Sequence, residues 1–202
     1  MKIPFLASFI IFIIWLTYEI SKNRKRSETA DTSFWAKEAE ANRTRRKSLD
    51  NLDYIKIPFD SLPMLTLAED EKITDYHDTL FALADSPIVN FSGISNTDLK
   101  LAYGAPNITL LMQYDERYTN LVSTLQRWAF HLYEAGYTQD AKTVLEFAVS
   151  TGTDVSGTYR LLASIYMEEG QPDKISELIQ KALALTSGSK DIIVRILQEF
   201  DR

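Results

Sequence analysis

Apolar positions along this chain recur at three- and four-residue spacing over most of its length, the period of helices that bury one face. Ile73, Tyr76, Leu80, Phe81 and Leu83 predict the buried side of a helix over residues 69–84, with acids at its positive end and Ser86-Pro87 after it. A short helix is expected over residues 98–103, capped by Asn96 or Thr97 and closed by Gly104. From Asn107 a long pattern runs through Leu110, Leu111, Tyr114, Tyr118 and Leu121. Between the first helix and the N-terminal part, Tyr54-Ile55-Lys56-Ile57-Pro58-Phe59 reads as an extended segment lying across the helices, broken at Pro58 and Pro63.

The last third repeats itself at a shift of 34 residues. Leu125 falls on Tyr159, Trp128 on Leu162, Ala129 on Ala163, Leu132 on Tyr166, Gly136 on Gly170, Leu145 on Ile179 and Ala148 on Ala182. Size and polarity agree at each pair. The alanines stand where paired helices approach closely, and the glycines end the first helix of each pair in the left-handed conformation. Pro172 suits the opening turn of the next helix.

On these residues the stretch 122–189 resembles two units of the tetratricopeptide repeat family, although Thr153 and Ser187 stand where a closing proline is common and Ile175 replaces the small residue matched by Ala141. The segment Asn96-Thr97-Asp98-Leu99-Lys100-Leu101-Ala102-Tyr103-Gly104-Ala105-Pro106-Asn107 is similar to a group of membrane-anchored, tetratricopeptide-like proteins of Gram-positive bacteria. Phe34-Trp35, Leu52-Asp53-Tyr54-Ile55 and residues 136–147 share that similarity, which implies an architecture and no activity. The resemblance implies an all-α fold: helical hairpins in a right-handed α-solenoid, closed by a capping helix over residues 190–202. In that helix Ile192, Ile193, Ile196, Leu197 and Phe200 form the apolar stripe.

The N-terminus predicts a different environment. Residues 3–18 carry no charge, and the 18 residues 3–20 would make about 27 Å of helix, near the ~30 Å of a bilayer's hydrocarbon. Trp15 and Tyr18 sit where interfacial rings settle, and no small-x-small cleavage site follows, so an uncleaved single-pass transmembrane anchor is expected over residues 1–20. Lys22, Arg24, Lys25 and Arg26 follow it against Lys2 alone before it, which places the C-terminal domain in the cytoplasm. Residues 21–60 then read as a basic juxtamembrane linker and extended segment, in which Phe34 and Trp35 dock on the membrane or on the domain. Residues 61–121 read as the helical N-terminal part of the globular domain.

Composition narrows the function. Residues 1–48 carry ten Lys and Arg against five Asp and Glu, whereas residues 49–202 carry twelve against 23. So acidic a body disfavours nucleic acid. With no cysteine and two histidines far apart, no metal ligand set is expected. Asp75-Tyr76-His77-Asp78 reads as an ordinary surface helix, and His131 as a partner-facing or core-edge residue. Asp115-Glu116 and Glu168-Glu169 read as solvated pairs, and no phosphate loop, dinucleotide fingerprint or nucleophile elbow is present. No cofactor is expected, and the chain is not read as an enzyme.

The expected function is a membrane-anchored adaptor or scaffold that binds a protein or peptide through the concave face of its repeats. That face would present Gln126, Phe130, Tyr133, Arg160, Ser164 and Met167. A structural subunit of a membrane complex is the alternative. An enzyme using Asp98, Tyr103 or Asp115 between the middle segment and the repeats is the rival from another class.

Overall fold

The computed structural model describes residues 3–200, and of residues 3–7 and 23–31 the backbone path alone. The described residues form eight α-helices and one 3-10 turn, with no strand. In chain order these are α1 (Ile3–Arg43), α2 (Glu71–Ala84), α3 (Asn96–Tyr103), the turn Ala105–Asn107, α4 (Ile108–Glu134), α5 (Thr138–Ser150), α6 (Ser156–Glu168), α7 (Asp173–Leu183) and α8 (Lys190–Phe200).

Local chemistry sets the helix boundaries. The Asp70 carboxylate accepts the Lys72 and Ile73 amides at 3.0 and 3.1 Å, so α2 starts on a capping acid. α3 is capped by Ser95, whose Oγ accepts the Asp98 amide at 3.2 Å, and not by the expected Asn96 or Thr97, which lie inside the helix. α4 and α6 end in the same hydrogen-bonded motif, 34 residues apart. The Tyr137 amide donates to the Leu132 carbonyl at 2.9 Å, and the Gln171 amide to the Tyr166 carbonyl at 2.8 Å. This six-to-one bond requires a left-handed residue between helix and loop, which Gly136 (φ +85°) and Gly170 (φ +67°) supply.

Helices α4 to α8 pack in succession. α4 lies on α5, α5 on α6, α6 on α7, and α8 covers both α6 and α7, while α2 packs on α4. Ala129, Ala148, Ala163 and Ala182 are fully buried at these crossings, with Trp128, Leu132, Leu162 and Tyr166 filling the space between them. Ala141 and its larger counterpart Ile175 are both fully buried, so the second hairpin has room for the added volume. On α8, Ile193, Ile196 and Leu197 face inward, but Ile192 points out and is 56% exposed. The extended segment does lie across the helices: the Ile55 amide donates to the Ile88 carbonyl at 2.9 Å, and Ile55, Ile57 and Phe59 pack on the main core.

A second, smaller core joins Leu52, Val89, Phe91, Leu99, Leu111 and Tyr114. It holds the middle of the chain against the first turns of α4. Buried Asn107 fixes the junction, its amide nitrogen donating to the Lys47 and Tyr103 carbonyls at 2.9 and 2.8 Å. Gly104 (φ +95°) lets the backbone of Arg45 press against it where a Cβ would collide.

No helix among the described residues is long and apolar enough to cross a membrane, which corrects the transmembrane anchor expected over residues 1–20. α1 does not stop near Ile20; it runs unbroken to Arg43 and carries Glu19 and Lys22 on the same helix. The charge-free run, residues 3–18, ends at Glu19 after about 24 Å of helix, short of the ~30 Å of a bilayer's hydrocarbon. Residues 3–7, Arg24, Lys25 and Arg26 belong to that expectation but lie outside the described side chains. The single-pass membrane location and the cytoplasmic orientation rested on the span and fall with it.

The region read as a linker is helical as far as Arg43 because its last turns find partners. Lys37 pairs with Asp98 at 2.6 Å, Lys100 pairs with Glu38, and Ala41 is fully buried. Phe34 and Trp35 remain exposed on α1 and touch each other edge to face, with ring centroids 5.3 Å apart.

His77 is buried, not on a surface face: its ring stands edge-on to that of Trp128, centroids 4.9 Å apart. Phe81, expected in the core, is instead 55% exposed and stacks on Phe59 at 5.0 Å. Burial holds the His77 imidazole below its ordinary pKa, with only the charge of Asp78 opposing. The unfolded chain therefore binds the proton more tightly. The stability this neutral ring contributes is complete above the unfolded value of about 6.5 and is lost as pH falls from there toward the depressed native value. Denaturant unfolding between pH 7 and pH 5 should show this loss in the wild type and a shallower one in His77→Phe. The close helix crossings predict a second result: Ala129→Leu and Ala163→Leu should each cost about 1–3 kcal/mol, and Asn120→Leu on the exposed side of α4 almost nothing.

Candidate functional site

The six residues singled out from the repeat occupy two matched stripes. Gln126, Phe130 and Tyr133 lie along α4; Arg160, Ser164 and Met167 lie at the corresponding positions of α6. The two helices are in contact. At one end Gly157, in the first turn of α6, gives Gln126 its place, since a Cβ there would stand 3.1 Å from the Gln126 amide nitrogen. At the other end the Tyr133 hydroxyl donates to the Glu168 carboxylate at 2.6 Å. That bond also raises the Tyr133 pKa, because the phenol proton is shared with a carboxylate.

Between these ties the face is open. Phe130 is 48% exposed and Met167 44%; Arg160 is exposed, while Gln126, Tyr133 and Ser164 are half-buried. Phe130 forms one wall of a pocket of about 220 Å³ between α2 and α4, opposite Lys72 and Tyr76. Gln126, Arg127, His131 and Glu134 complete its lining. The His131 Nε2 lies 3.4 Å from the Asp70 carboxylate that caps α2, so this histidine ties the two walls together. Lys72, Arg127 and Arg160 make no ion pair with a described residue, whereas Lys37, Lys100, Lys142 and Lys174 each do.

Sequence reasoning did not pair α2 with this face. The signal was present in Lys72 and Tyr76, one turn apart on α2, but nothing in the sequence said which helix they would meet.

The residues considered for chemistry are engaged in holding the fold. Asp98 bonds Lys37 and Ser95, and Tyr103 packs on Phe91 in the second core. Asp115 accepts the Phe91 amide at 3.2 Å. The cleft that Asp115 lines includes neither Asp98 nor Tyr103. The pair Glu168-Glu169 differs from isolated solvated groups: Glu168 takes the Tyr133 hydroxyl, and half-buried Glu169 takes Lys142 at 2.7 Å and the Gln139 amide. Among the described residues no three His, Cys, Asp or Glu side chains gather in a way that could hold a metal ion.

A scan against protein-family models, a search of curated proteins and a search of solved structures each found no match to this chain.

The Tyr133–Glu168 bond predicts a measurable titration. Tyr133 should ionise at higher pH than a free tyrosine, and Glu168→Gln should move its midpoint down, as read by ultraviolet difference absorbance against a Tyr133→Phe blank.

Proposed function

We propose that the paired face of α4 and α6 binds a protein or peptide partner, so that the chain serves as an adaptor or scaffold. The observation that carries this reading is the exposure of Phe130 on α4 and of Met167 on α6, with exposed Arg160 on the same stripe of α6 as Met167. Large apolar groups held half in water by a rigid frame, flanked by cations and hydrogen-bonding side chains, are what a partner covers with gain. The face is fixed before binding, through Gly157 under Gln126 and through Tyr133 on Glu168, so little side-chain freedom is left to lose. The resemblance of residues 122–189 to tetratricopeptide units points the same way, since such hairpins hold ligands along their first helices.

The variant Phe130→Ala/Tyr133→Ala/Arg160→Ala tests the reading. Aromatic and arginine anchors are commonly worth ~2 kcal/mol or more each, a factor of roughly 30 in affinity apiece. A photo-crosslinking residue at position 164 should label a discrete partner in cells, and the triple variant should lose that label while its circular dichroism and melting temperature hold. A triple variant that still labels the same partner, or labelling no stronger from position 164 than from position 180 on α7, would overturn the proposal.

A further inference from the structure

A second cleft lies at the other end of α4. Gln113 and Phe130 are separated by about 25 Å of helix, so this cleft does not belong to the α4/α6 face. It encloses about 520 Å³ between α3, the loop before it and the first turns of α4. Its floor is apolar: Phe91 and Leu99, both buried in the second core, with Ile94 and Met112 as the walls. Ile94 is 46% exposed and Met112 51%, though each sits beside a core that could have covered it. Its rim is acidic, formed by Asp115 and Glu116, and no lysine or arginine lines it.

Asp115 is already positioned. One of its carboxylate oxygens accepts the Phe91 amide at 3.2 Å, which anchors the group at the edge of the cleft and leaves the other oxygen without a partner among the described residues. Glu116, the next residue on α4, is exposed. Two adjacent carboxylates repel each other, and a cation bridging them relieves that repulsion. The cleft therefore sets two demands on one ligand: a large apolar side chain to cover Ile94 and Met112, and positive charge to meet Asp115 and Glu116.

We propose that this cleft docks a short basic peptide segment with a large apolar anchor. The anchor enters between Ile94 and Met112 over Leu99, and flanking lysine or arginine side chains meet the two carboxylates. Charge complementarity selects this occupant over a neutral or acidic one, because the rim supplies negative charge alone. The proposal does not depend on the α4/α6 reading.

The test uses three fluorescein-labelled, end-blocked hexapeptides in anisotropy titrations with the whole chain: alternating lysine and leucine, alternating glutamate and leucine, and alternating lysine and glycine. The lysine–leucine peptide should bind, the other two at least tenfold more weakly, and the binding should weaken as salt is raised from 50 to 500 mM. Asp115→Asn/Glu116→Gln, which keeps the acceptor for the Phe91 amide, and Ile94→Ser/Met112→Ser should each lower affinity at least fivefold. All four side chains are at the surface, and circular dichroism checks that the variants fold. Asp173→Asn on α7 and Phe130→Ala on the α4/α6 face should change nothing. Failure of the lysine–leucine peptide to bind overturns the proposal, as does equal binding of the lysine–glycine peptide, which would mean charge without an anchor. Loss of binding in Phe130→Ala would assign the peptide to the α4/α6 face instead and overturn it equally.

Discussion

The burial of one apolar stripe along α4 is the interaction on which the rest of the molecule depends. Leu111 and Tyr114 at its start belong to the smaller core, while Tyr118 through Leu132 belong to the larger one. One helix of about 40 Å thus crosses both cores and sets their relative position. Its neighbours α2, α3, α5 and α6 each contact it directly. Tyr118 shows how tightly the join is made: its hydroxyl and the Asn90 amide bond each other and also the carbonyls at the end of α5. Burial drives the Tyr118 pKa well above the ordinary phenol value, so the group stays a neutral hydrogen-bonding hydroxyl.

The close approach of α4 to its partners is permitted by small residues and filled by large ones. Ala129 and Ala148 leave the helix surfaces in contact, and Trp128 occupies the space beside them. Such a core is sensitive in both directions, since a removed methylene leaves a void and an added one forces a shift. The two surfaces proposed for binding sit at opposite ends of this same helix. Each is made of the side chains of α4 that its stripe turns away from the cores, joined by residues from a helix packed beside it. Their positions relative to each other are therefore as rigid as α4 itself.

α1 is attached differently. Its last turns are held by ion pairs and polar bonds to α3, by Ala41 and by the backbone link of Ala105 to the Thr44 carbonyl at 3.1 Å. Half-buried Lys100 and Glu38 lose less to screening than a fully exposed pair, and the Thr97 hydroxyl supports the carboxylate from a second side. Farther toward the N-terminus, Phe9, Phe12, Trp15 and Tyr18 stay exposed on the helix.

The sequence alone determined where the helices after residue 68 run and most of the positions that face inward, because helix period, capping acids and glycine stops are local properties of a chain. The 34-residue shift is of that kind, and it reappears atom for atom in the bonds that end α4 and α6. The six residues of the α4/α6 face could be named from it, since helical phase places them on one side. What lies opposite a side chain is not local. Only the tertiary structure set α2 against Phe130, turned His77 onto Trp128, and left Phe81 and Ile192 outside cores for which their spacing qualified them. It also carried α1 past the apolar run into a polar segment, because partners for Lys37 and Glu38 come from α3, some sixty residues away in sequence. Hydrophobic patterning fixes a helix's inner face, but the neighbour that completes it is chosen by packing over the whole chain, which no window of sequence contains.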